Sequence, residues 1–182
     1  MTGPGGRLVY LIGPSGAGKD TVLRWLLTHQ PQPERLHVAR RTITRSADDA
    51  SELHEAVTPA EFARLLRDGA FALHWDAHGL RYGIRREALR PLDSGASVLV
   101  NGSRAALYEA RRRYPDIFVV QITAELKLLR QRLLARGREM PEVIESRLSR
   151  SALLPVVGVD AVIRNEGTAE QAGRLLIELL EP

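Results

Sequence analysis

The chain alternates between two kinds of hydrophobic pattern. Short, nearly uninterrupted apolar runs, typical of buried strands, predict strands at residues 7–12, 97–101 and 117–123. Between them lie longer segments in which apolar residues recur every three or four positions, the spacing of a helix that is buried on one face. Strands that alternate with helices in this way predict an α/β fold built on a largely parallel sheet.

Capping residues, glycines and prolines set the remaining boundaries. Thr58 is predicted to cap a helix at 59–67 because its hydroxyl can accept a backbone hydrogen bond, and Pro59 suits the first helical position. Gly69 ends that helix. Residues 42–57 are polar without a clear period and are predicted to be irregular. Further helices are predicted from the glycine-rich turn through about residue 29, near 85–89, and at 105–114, 126–136, 141–151 and 168–180; further strands are predicted at 36–41, 70–75 and 161–164, with a turn and return strand at 77–83.

Length and composition bound the class of protein. The chain has 182 residues, of which 44% are hydrophobic and 26% charged, which is ordinary for one globular domain. No repeat or linker divides it, so we predict a single domain over residues 1–182. It contains no cysteine, which excludes disulfides, thiolate metal sites and cysteine nucleophiles and fits a reducing cytoplasm. No apolar run approaches the roughly 20 residues of a membrane span, so we expect a cytoplasmic protein without a membrane partner.

The net charge of +4 and the isoelectric point of about 9.9 leave two classes of partner open. A basic protein of this kind can bind nucleic acid, or it can be an enzyme for anionic metabolites. Nearly all of the positive charge is arginine distributed over predicted helices, a pattern typical of solvated helix faces. Nucleic-acid binding is therefore the less favoured interpretation.

Residues 13–21, GPSGAGKDT, join the first predicted strand to the first helix and have the composition of a phosphate-binding loop. Glycines allow successive backbone N–H groups to point at phosphate oxygens, and the N-terminus of the following helix adds a partial positive charge. Lys19 is a candidate catalytic residue, since its ammonium can reach the β- and γ-phosphates and stabilise the charge that moves during transfer. The candidate ATP-binding residues of this segment are Gly13, Pro14, Ser15, Gly16, Ala17, Gly18, Lys19, Asp20 and Thr21.

Asp20 stands where such loops usually carry Ser or Thr. The usual hydroxyl ligates Mg²⁺, and a carboxylate is also a hard oxygen ligand, so Asp20 is the candidate metal-binding residue. Thr21 offers a hydroxyl, but it lies about 100° further around the helix. The alternative is that Asp20 only caps the first turn.

Two groups of arginines are candidates for binding phosphate. Arg132 and Arg136 share one face of a predicted helix, and Arg147 follows on the next helix. Arginines on a closing lid can neutralise a transferring phosphoryl group and exclude water. Arg41 and Arg45 would point to the same side of an extended chain, where two guanidinium groups can grip a phosphate. The alternative for the first group is a solvated helix face with ion pairs, and the alternative for the second is a basic edge strand.

The order of these segments resembles the guanylate kinase branch of the nucleoside monophosphate kinases. The resemblance runs from GPSGAGKDT through FALHWDAHGLRYGI to RLLARGRE, IESRL and VIRNEG, nearly the whole chain. The sequence departs from the guanylate kinases at positions that bind the nucleotide. Leu73 stands at the position of the Glu that recognises guanine, and Asp48 stands at the position of a second Arg. A leucine side chain cannot supply the hydrogen bonds that guanine requires.

With these departures, the chain resembles a second family, the ribose 1,5-bisphosphate phosphokinases of phosphonate breakdown. The shared segments are the GKD loop, HE at His54 and Glu55, FALxWxAHGLxYGI, VNGSR and RGRE. The resemblance implies a P-loop kinase fold with an acceptor-binding insertion at about 40–90 and a helical lid at about 132–150. It also implies that ATP, with Mg²⁺, gives its γ-phosphate to the 1-phosphate of ribose 1,5-bisphosphate, a small phosphorylated sugar, forming 5-phospho-α-D-ribose 1-diphosphate.

The same resemblance implies roles for individual residues on the ATP side. Residues 13–20 hold the phosphates and Mg²⁺, and Asn165 lies near the adenine. The catalytic set adds the lid and transfer arginines to the loop lysine: Lys19, Arg132, Arg136 and Arg147.

On the acceptor side, Arg45 and Tyr82 match residues that bind the acceptor phosphate, and Arg41 is the second candidate of the same strand. Asn101 and Arg104, in VNGSR, follow a predicted strand, and ligands of α/β proteins bind at the carboxyl ends of strands. We expect both to bind the sugar or its phosphates.

Other functions stay open at this point. A nucleoside monophosphate kinase with altered base choice is one alternative, and a non-catalytic guanylate-kinase-like interaction module is another, although the loop lysine argues against the second. His74 and His78 are interpreted as structural or substrate-orienting, because a phosphate acceptor is already anionic and hardly needs a general base. Trp25 and Trp75 are interpreted as packing residues. The oligomeric state is not indicated.

Overall fold

The computed structural model describes residues 6–45, 53–77, 79–137, 140–153 and 158–180; the side chains at 147 and 150–153 lie outside that description. In chain order the elements are β1 (Leu8–Ile12), α1 (Lys19–His29), β2 (Leu36–Ala39), β3 (Arg41–Thr44), β4 (His54–Val57), α2 (Pro59–Arg67), β5 (Phe71–Ala77), β6 (Leu80–Arg85), a 3-10 helix (Arg86–Ser94), β7 (Ser97–Asn101), α3 (Leu107–Arg113), β8 (Phe118–Thr123), α4 (Leu126–Ala135), α5 (Pro141–Leu153), β9 (Ala161–Arg164) and α6 (Ala169–Leu180).

A five-stranded parallel sheet has the order β2-β7-β1-β8-β9. β2 pairs with β7, with Leu36 opposite Ser97, and β8 pairs with β9, with Val120 opposite Ala161. β1 is central, and each of its residues is buried. This burial explains the continuous apolar sequence of β1, because a central parallel strand is covered on both faces. The parallel sheet and its flanking helices confirm the predicted α/β fold class.

Contacts divide the chain into two compact units. One contains residues 6–10 and 30–118, and the other contains residues 11–29 and 119–180. The single domain over residues 1–182 stays a prediction. No helix in the described parts of the chain is long and apolar enough to cross a membrane.

The unit that contains residues 30–118 carries a second sheet, of four strands in the order β4-β3-β6-β5. β3 is parallel to β4 and antiparallel to β6, and β5 is antiparallel to β6. α2 packs its apolar face on this sheet, where the rings of Phe62 and Phe71 stack with centroids 4.6 Å apart. Thr58 caps α2 as predicted, since its Oγ1 accepts a hydrogen bond from the amide of Glu61 at 3.1 Å.

The prediction that residues 42–57 are irregular is wrong. Arg41–Thr44 and His54–Val57 are strands, and residues 46–52 between them lie outside the described residues. The predicted strand at 36–41 is two strands, separated at Arg40. These strands are too short to show a period, and pairing across the sheet, such as that of Thr42 with Glu55 and Gly83, makes them extended.

The unit that contains residues 11–29 and 119–180 packs helices around β8 and β9. Leu26 of α1 and Leu176 of α6 are buried, and the predicted bounds of β9 match the structure. Gly173 lets α6 approach Trp25 closely, because a Cβ at that glycine would stand 2.0 Å from the indole ring. Trp25 is therefore a packing residue, as expected.

Candidate functional site

The phosphate-loop segment joins β1 to α1 through backbone that favours glycine. Gly18 has a φ of 84°, in the left-handed region. At Gly13 the reason is close approach, because a Cβ there would stand 2.0 Å from the carbonyl oxygen of Ile122. The amide of Ala17 donates to the carbonyl oxygen of Pro14 at 3.2 Å and closes the turn. The segment thus has the strand, glycine turn and helix that a phosphate-binding loop requires.

Lys19, the first residue of α1, folds its side chain back over the loop. Its Nζ donates hydrogen bonds to the carbonyl oxygens of Gly13 at 2.8 Å and Pro14 at 3.2 Å. The ammonium is therefore held beside the backbone that would surround a phosphate group. A fixed cation at a helix N-terminus adds to the attraction of the helix dipole for an anion.

Asn165, at the end of β9, is tied to the middle of the loop. Its side-chain Nδ2 donates to the carbonyl oxygen of Ala17 at 2.8 Å, and its backbone amide donates to Thr123 at 2.7 Å. The Oδ1 atom of this buried side chain has no hydrogen-bond partner among the described residues. The contact near adenine that the sequence predicts stays a prediction; what the structure adds is the support of the loop.

Arg132 is a predicted lid arginine, and the structure brings it close to the loop. The hypothetical Cβ of Gly18 would lie 3.8 Å from its Nη1. That atom is buried and has no hydrogen-bond partner among the described residues. A buried guanidinium N–H without an acceptor is uncommon, and an incoming phosphate oxygen would satisfy it.

Of the other predicted arginines of this region, only Arg136 has a described side chain. Arg136 is exposed and follows the last residue of α4. Arg147 belongs to α5, but its side chain lies outside the described residues, as does Arg138. Arg136 and Arg147 therefore stay predictions.

Asp20 lies in the first turn of α1 and is partly exposed, whereas Thr21 is exposed. The described residues contain no group of three or more His, Asp or Glu that could hold a metal ion by themselves. Magnesium is commonly held by one or two carboxylates together with phosphate oxygens and water. A single accessible carboxylate next to Lys19 fits that kind of site.

The predicted acceptor residues lie in the other unit, where two rows of residues cross its four-stranded sheet. In one row Arg41 pairs with Ile84 and with His54, and Ile84 pairs with Leu73. Leu73 and Ile84 are both buried. Cross-strand partners share a face of a sheet, so Arg41 and His54 lie in the same row as a buried apolar pair.

Tyr82 belongs to the second row, in which it pairs with Ile43 and Trp75. The rings of Trp75 and Tyr82 are stacked, with centroids 5.6 Å apart and an interplanar angle of 3°. Trp75 therefore fixes the plane of the Tyr82 ring, a role that the sequence did not reveal because it depends on strand register. Arg45 follows β3, and its amide donates to the carbonyl oxygen of Ile43 at 2.9 Å.

Glu55 is held by side chains of neighbouring strands. Thr42 Oγ1 donates to Glu55 Oε1 at 2.8 Å, and Arg85 Nη2 donates to the same oxygen. Arg85 Nε also donates to Thr42 Oγ1 at 3.3 Å. This network supports a structural contact for Glu55. His74 is exposed on β5, and His78 lies outside the described residues.

Asn101 and Arg104 lie at the carboxyl end of β7. Asn101 is the buried last residue of that strand. Arg104 is half-buried, and burial lowers the pKa of its guanidinium below the usual range. A partly desolvated guanidinium interacts more strongly with an anion than one in bulk water.

Comparison with curated proteins gives relatives that span nearly the whole chain. The chain is 46% identical over 177 residues to "Ribose 1,5-bisphosphate phosphokinase PhnN" of Azotobacter vinelandii, covering 97% of this chain and 96% of the relative. It is 53% identical over 148 residues to the protein of that name in Pseudomonas paraeruginosa, covering 81% and 79%. No protein-family model matches.

Among solved structures, a guanylate kinase from Anaplasma phagocytophilum superposes with a TM-score of 0.70 at 24% identity, covering 98% of this chain and 88% of that one. This likeness shows a shared fold. It agrees with the sheet order and with the predicted guanylate-kinase-like architecture.

Proposed function

Because the chain belongs to the ribose 1,5-bisphosphate phosphokinase family, we propose that it transfers the γ-phosphoryl group of ATP to the 1-phosphate of ribose 1,5-bisphosphate. The products are 5-phospho-α-D-ribose 1-diphosphate and ADP. The structural observation that carries the choice of acceptor is the buried pair Leu73 and Ile84. It offers no hydrogen-bonding group to a nucleobase, whereas a sugar bisphosphate needs cations and no base reader.

ATP is bound through its phosphates. The backbone N–H groups of Ser15, Gly16 and Gly18 and the N-terminus of α1 face the β- and γ-phosphates. Lys19 donates to these oxygens in place of the carbonyl oxygens of Gly13 and Pro14. Asn165 holds the carbonyl oxygen of Ala17 and so keeps the loop in its binding conformation.

Transfer breaks the bond between the γ-phosphorus and the bridging oxygen, which leaves with ADP, and forms a bond to an oxygen of the acceptor phosphate. Negative charge shifts toward the leaving oxygen as this happens. Lys19 and Arg132 stabilise it, because fixed cations in a site with little water lower the barrier without reorganising. The attacking oxygen is already anionic, so no side chain has to remove a proton.

Asp20 is the residue that would hold Mg²⁺, together with oxygens of the ATP phosphates. When bound, the ion neutralises charge on the β- and γ-phosphates. Asp20 itself would supply a carboxylate for the ion in the first turn of α1. Arg136 and Arg147 are proposed to close over the transferring group.

The acceptor is bound by cations and by one aromatic hydroxyl. Arg41 and Arg45 grip one phosphate, and Tyr82, held in its plane by Trp75, donates to it. Asn101 and Arg104 bind the sugar or its second phosphate. The acceptor region is proposed to span about 40–90 and the lid about 132–150.

A nucleoside monophosphate kinase is the second candidate, since its fold is the same. The buried pair Leu73 and Ile84 argues against guanine in particular. A non-catalytic interaction module is disfavoured because Lys19 is held at the phosphate loop.

The lack of cysteine supports a cytoplasmic protein.

The test is turnover by the purified protein with ATP, Mg²⁺ and either ribose 1,5-bisphosphate or GMP. ADP formation is followed, and the product is identified by mass spectrometry. We expect 5-phospho-α-D-ribose 1-diphosphate from the first acceptor and no product from GMP. Turnover of GMP without turnover of ribose 1,5-bisphosphate would contradict the proposal and indicate a nucleoside monophosphate kinase.

A further inference from the structure

Tyr10 is a fully buried residue of β1 whose hydroxyl is bonded to the segment that follows β7. The hydroxyl donates to the carbonyl oxygen of Ser103 at 3.3 Å and accepts from the amide of the same residue at 3.1 Å. Burial raises the pKa of Tyr10 to about 12, and the backbone hydrogen bond with Ser103 lowers it in part. The hydroxyl therefore stays protonated and able to donate at physiological pH.

The ring of Tyr10 also constrains the neighbouring residue, Gly102. A Cβ on Gly102 would stand 2.1 Å from Cζ of the ring and 2.4 Å from Cε1 and Cε2. No side chain fits in that space, so a glycine is needed for the close approach. One buried side chain thus holds two successive residues, Gly102 by shape and Ser103 by hydrogen bonds.

The same segment carries the two proposed acceptor ligands, Asn101 at the end of β7 and Arg104 after it, on either side of the held residues. The carbonyl oxygen of Ser103 also accepts from the amide of Ala106 at 3.2 Å, and that of Arg104 accepts from Leu107 at 3.3 Å. The turn that leads into α3 therefore starts from the backbone that Tyr10 holds. A shift of Ser103 would move the backbone of both predicted ligands.

We propose that Tyr10 is a positioning residue for the acceptor. Its ring and hydroxyl fix Gly102 and Ser103, and through them they hold Asn101 and Arg104 in the arrangement that binds the sugar bisphosphate. This inference rests on the proposed function. Tyr10 acts through the backbone of the segment and does not touch ATP or the acceptor.

The test compares Tyr10→Phe with Tyr108→Phe in steady-state kinetics. Tyr10→Phe keeps the ring and removes only the hydroxyl that bonds to Ser103. We expect its KM for ribose 1,5-bisphosphate to rise about five- to tenfold, the effect of losing a backbone hydrogen bond, with the KM for ATP unchanged. Tyr108 is 77% exposed on α3, so the same substitution there is the matched control and leaves both constants unchanged.

A second variant approaches the same contact from the other side. Gly102→Ala pushes a methyl group against the Tyr10 ring, and we expect the same selective rise in the KM for the acceptor. Folding is checked for each variant by thermal melting.

The possible results separate the inference from the proposed function. An unchanged KM for the acceptor in either variant overturns the inference, and so does an equal rise in both KM values, which would mean general loosening. Wild-type protein that does not turn over ribose 1,5-bisphosphate overturns the proposed function and the inference with it. Wild-type turnover with no selective effect in the variants overturns the inference alone.

Discussion

The side-chain amide of Asn165 donates a hydrogen bond to the carbonyl oxygen of Ala17 at 2.8 Å, across a sequence separation of 148 residues. The side chain is 4% exposed, and its own backbone amide is bonded to Thr123. The contact also explains Gly18, because a Cβ there would stand 2.4 Å from Nδ2 of Asn165. The end of β9 therefore holds the phosphate loop in shape.

Replacing Asn165 by Asp tests which atom of the amide matters. An ionised carboxylate only accepts hydrogen bonds, so it would face the Ala17 carbonyl oxygen without a proton to share. We expect the KM for ATP to rise about tenfold and the free energy of unfolding to fall by about 2 kcal/mol. Steady-state kinetics and denaturant titration measure the two effects. The contrary result is that Asn165→Asp keeps its ATP affinity while Asn165→Ala loses it. ATP binding would then need the side-chain oxygen at position 165, and the role of the amide Nδ2 in holding the loop would be contradicted.

Replacing Lys19 by Ala removes the cation of the phosphate loop. We expect kcat to fall at least about 100-fold while the circular dichroism spectrum stays that of the wild type. Lys127, the other lysine of the chain, is exposed on α4, so Lys127→Ala is the matched control and keeps full activity. Activity retained in Lys19→Ala would contradict the proposed role of the phosphate-loop lysine in transfer.

Replacing Asp20 by Ser restores the hydroxyl that phosphate loops usually carry. We expect an enzyme that still requires Mg²⁺ but needs about three to ten times more of it for half-maximal rate, because a neutral hydroxyl attracts the cation less than a carboxylate does. The measurement is a Mg²⁺ titration at saturating ATP. The exposed Thr28, further along α1, serves as control, with Thr28→Ala leaving the titration unchanged. An unchanged titration in Asp20→Ser means that this carboxylate is not near the ion.

Replacing Arg132 by Ala tests the guanidinium group whose buried Nη1 lies beside the loop. We expect kcat to fall about 100- to 1000-fold with a smaller change in the KM for ATP, because the arginine acts mainly on charge that develops during transfer. Arg130 on the same helix is a matched control: it forms a surface ion pair with Glu145 at 2.5 Å, and both side chains are about half exposed. Such a pair contributes little, so Arg130→Ala keeps its activity. An effect of Arg132→Ala confined to KM would argue against a role in transfer.

Replacing Leu73 by Glu tests the apolar pair Leu73 and Ile84 on the four-stranded sheet. The new carboxyl group would face buried Ile84, and burial would raise its pKa in the folded state. The folded state would then hold a proton that the unfolded state releases, so stability falls as the pH rises above about 4.3. We expect Leu73→Glu to be about 3 kcal/mol less stable than wild type at pH 7 and not to phosphorylate GMP.

Denaturant titrations between acidic and neutral pH measure this dependence, and Leu73→Gln is the uncharged control, which is destabilised without the pH dependence. GMP phosphorylation by Leu73→Glu at wild-type stability would show that one residue carries the choice of acceptor.

Local patterns in the sequence predicted much of the fold. The helix at Pro59–Arg67 and the strands at Ser97–Asn101 and Ala161–Arg164 have the predicted bounds. The phosphate loop was also predictable, because its glycines, lysine and flanking elements are consecutive in the chain. Hydrophobic period, capping and turn conformation depend on residues a few positions apart, so one sequence carries them.

Tertiary structure decided the four-stranded sheet and the contacts that support the phosphate loop and the segment after β7. β3 and β4 are extended because they pair with strands distant in the chain, which no local period reveals. The stacking of Trp75 on Tyr82 depends on strand register. The bonds of Asn165 to Ala17 and of Tyr10 to Ser103 join residues far apart in sequence. By itself, the sequence determined most of the elements and the phosphate-loop segment, because both depend on residues close together in the chain. Only the tertiary structure decided the pairing of β3 and β4 and which distant side chains support that segment, because packing brings distant residues together.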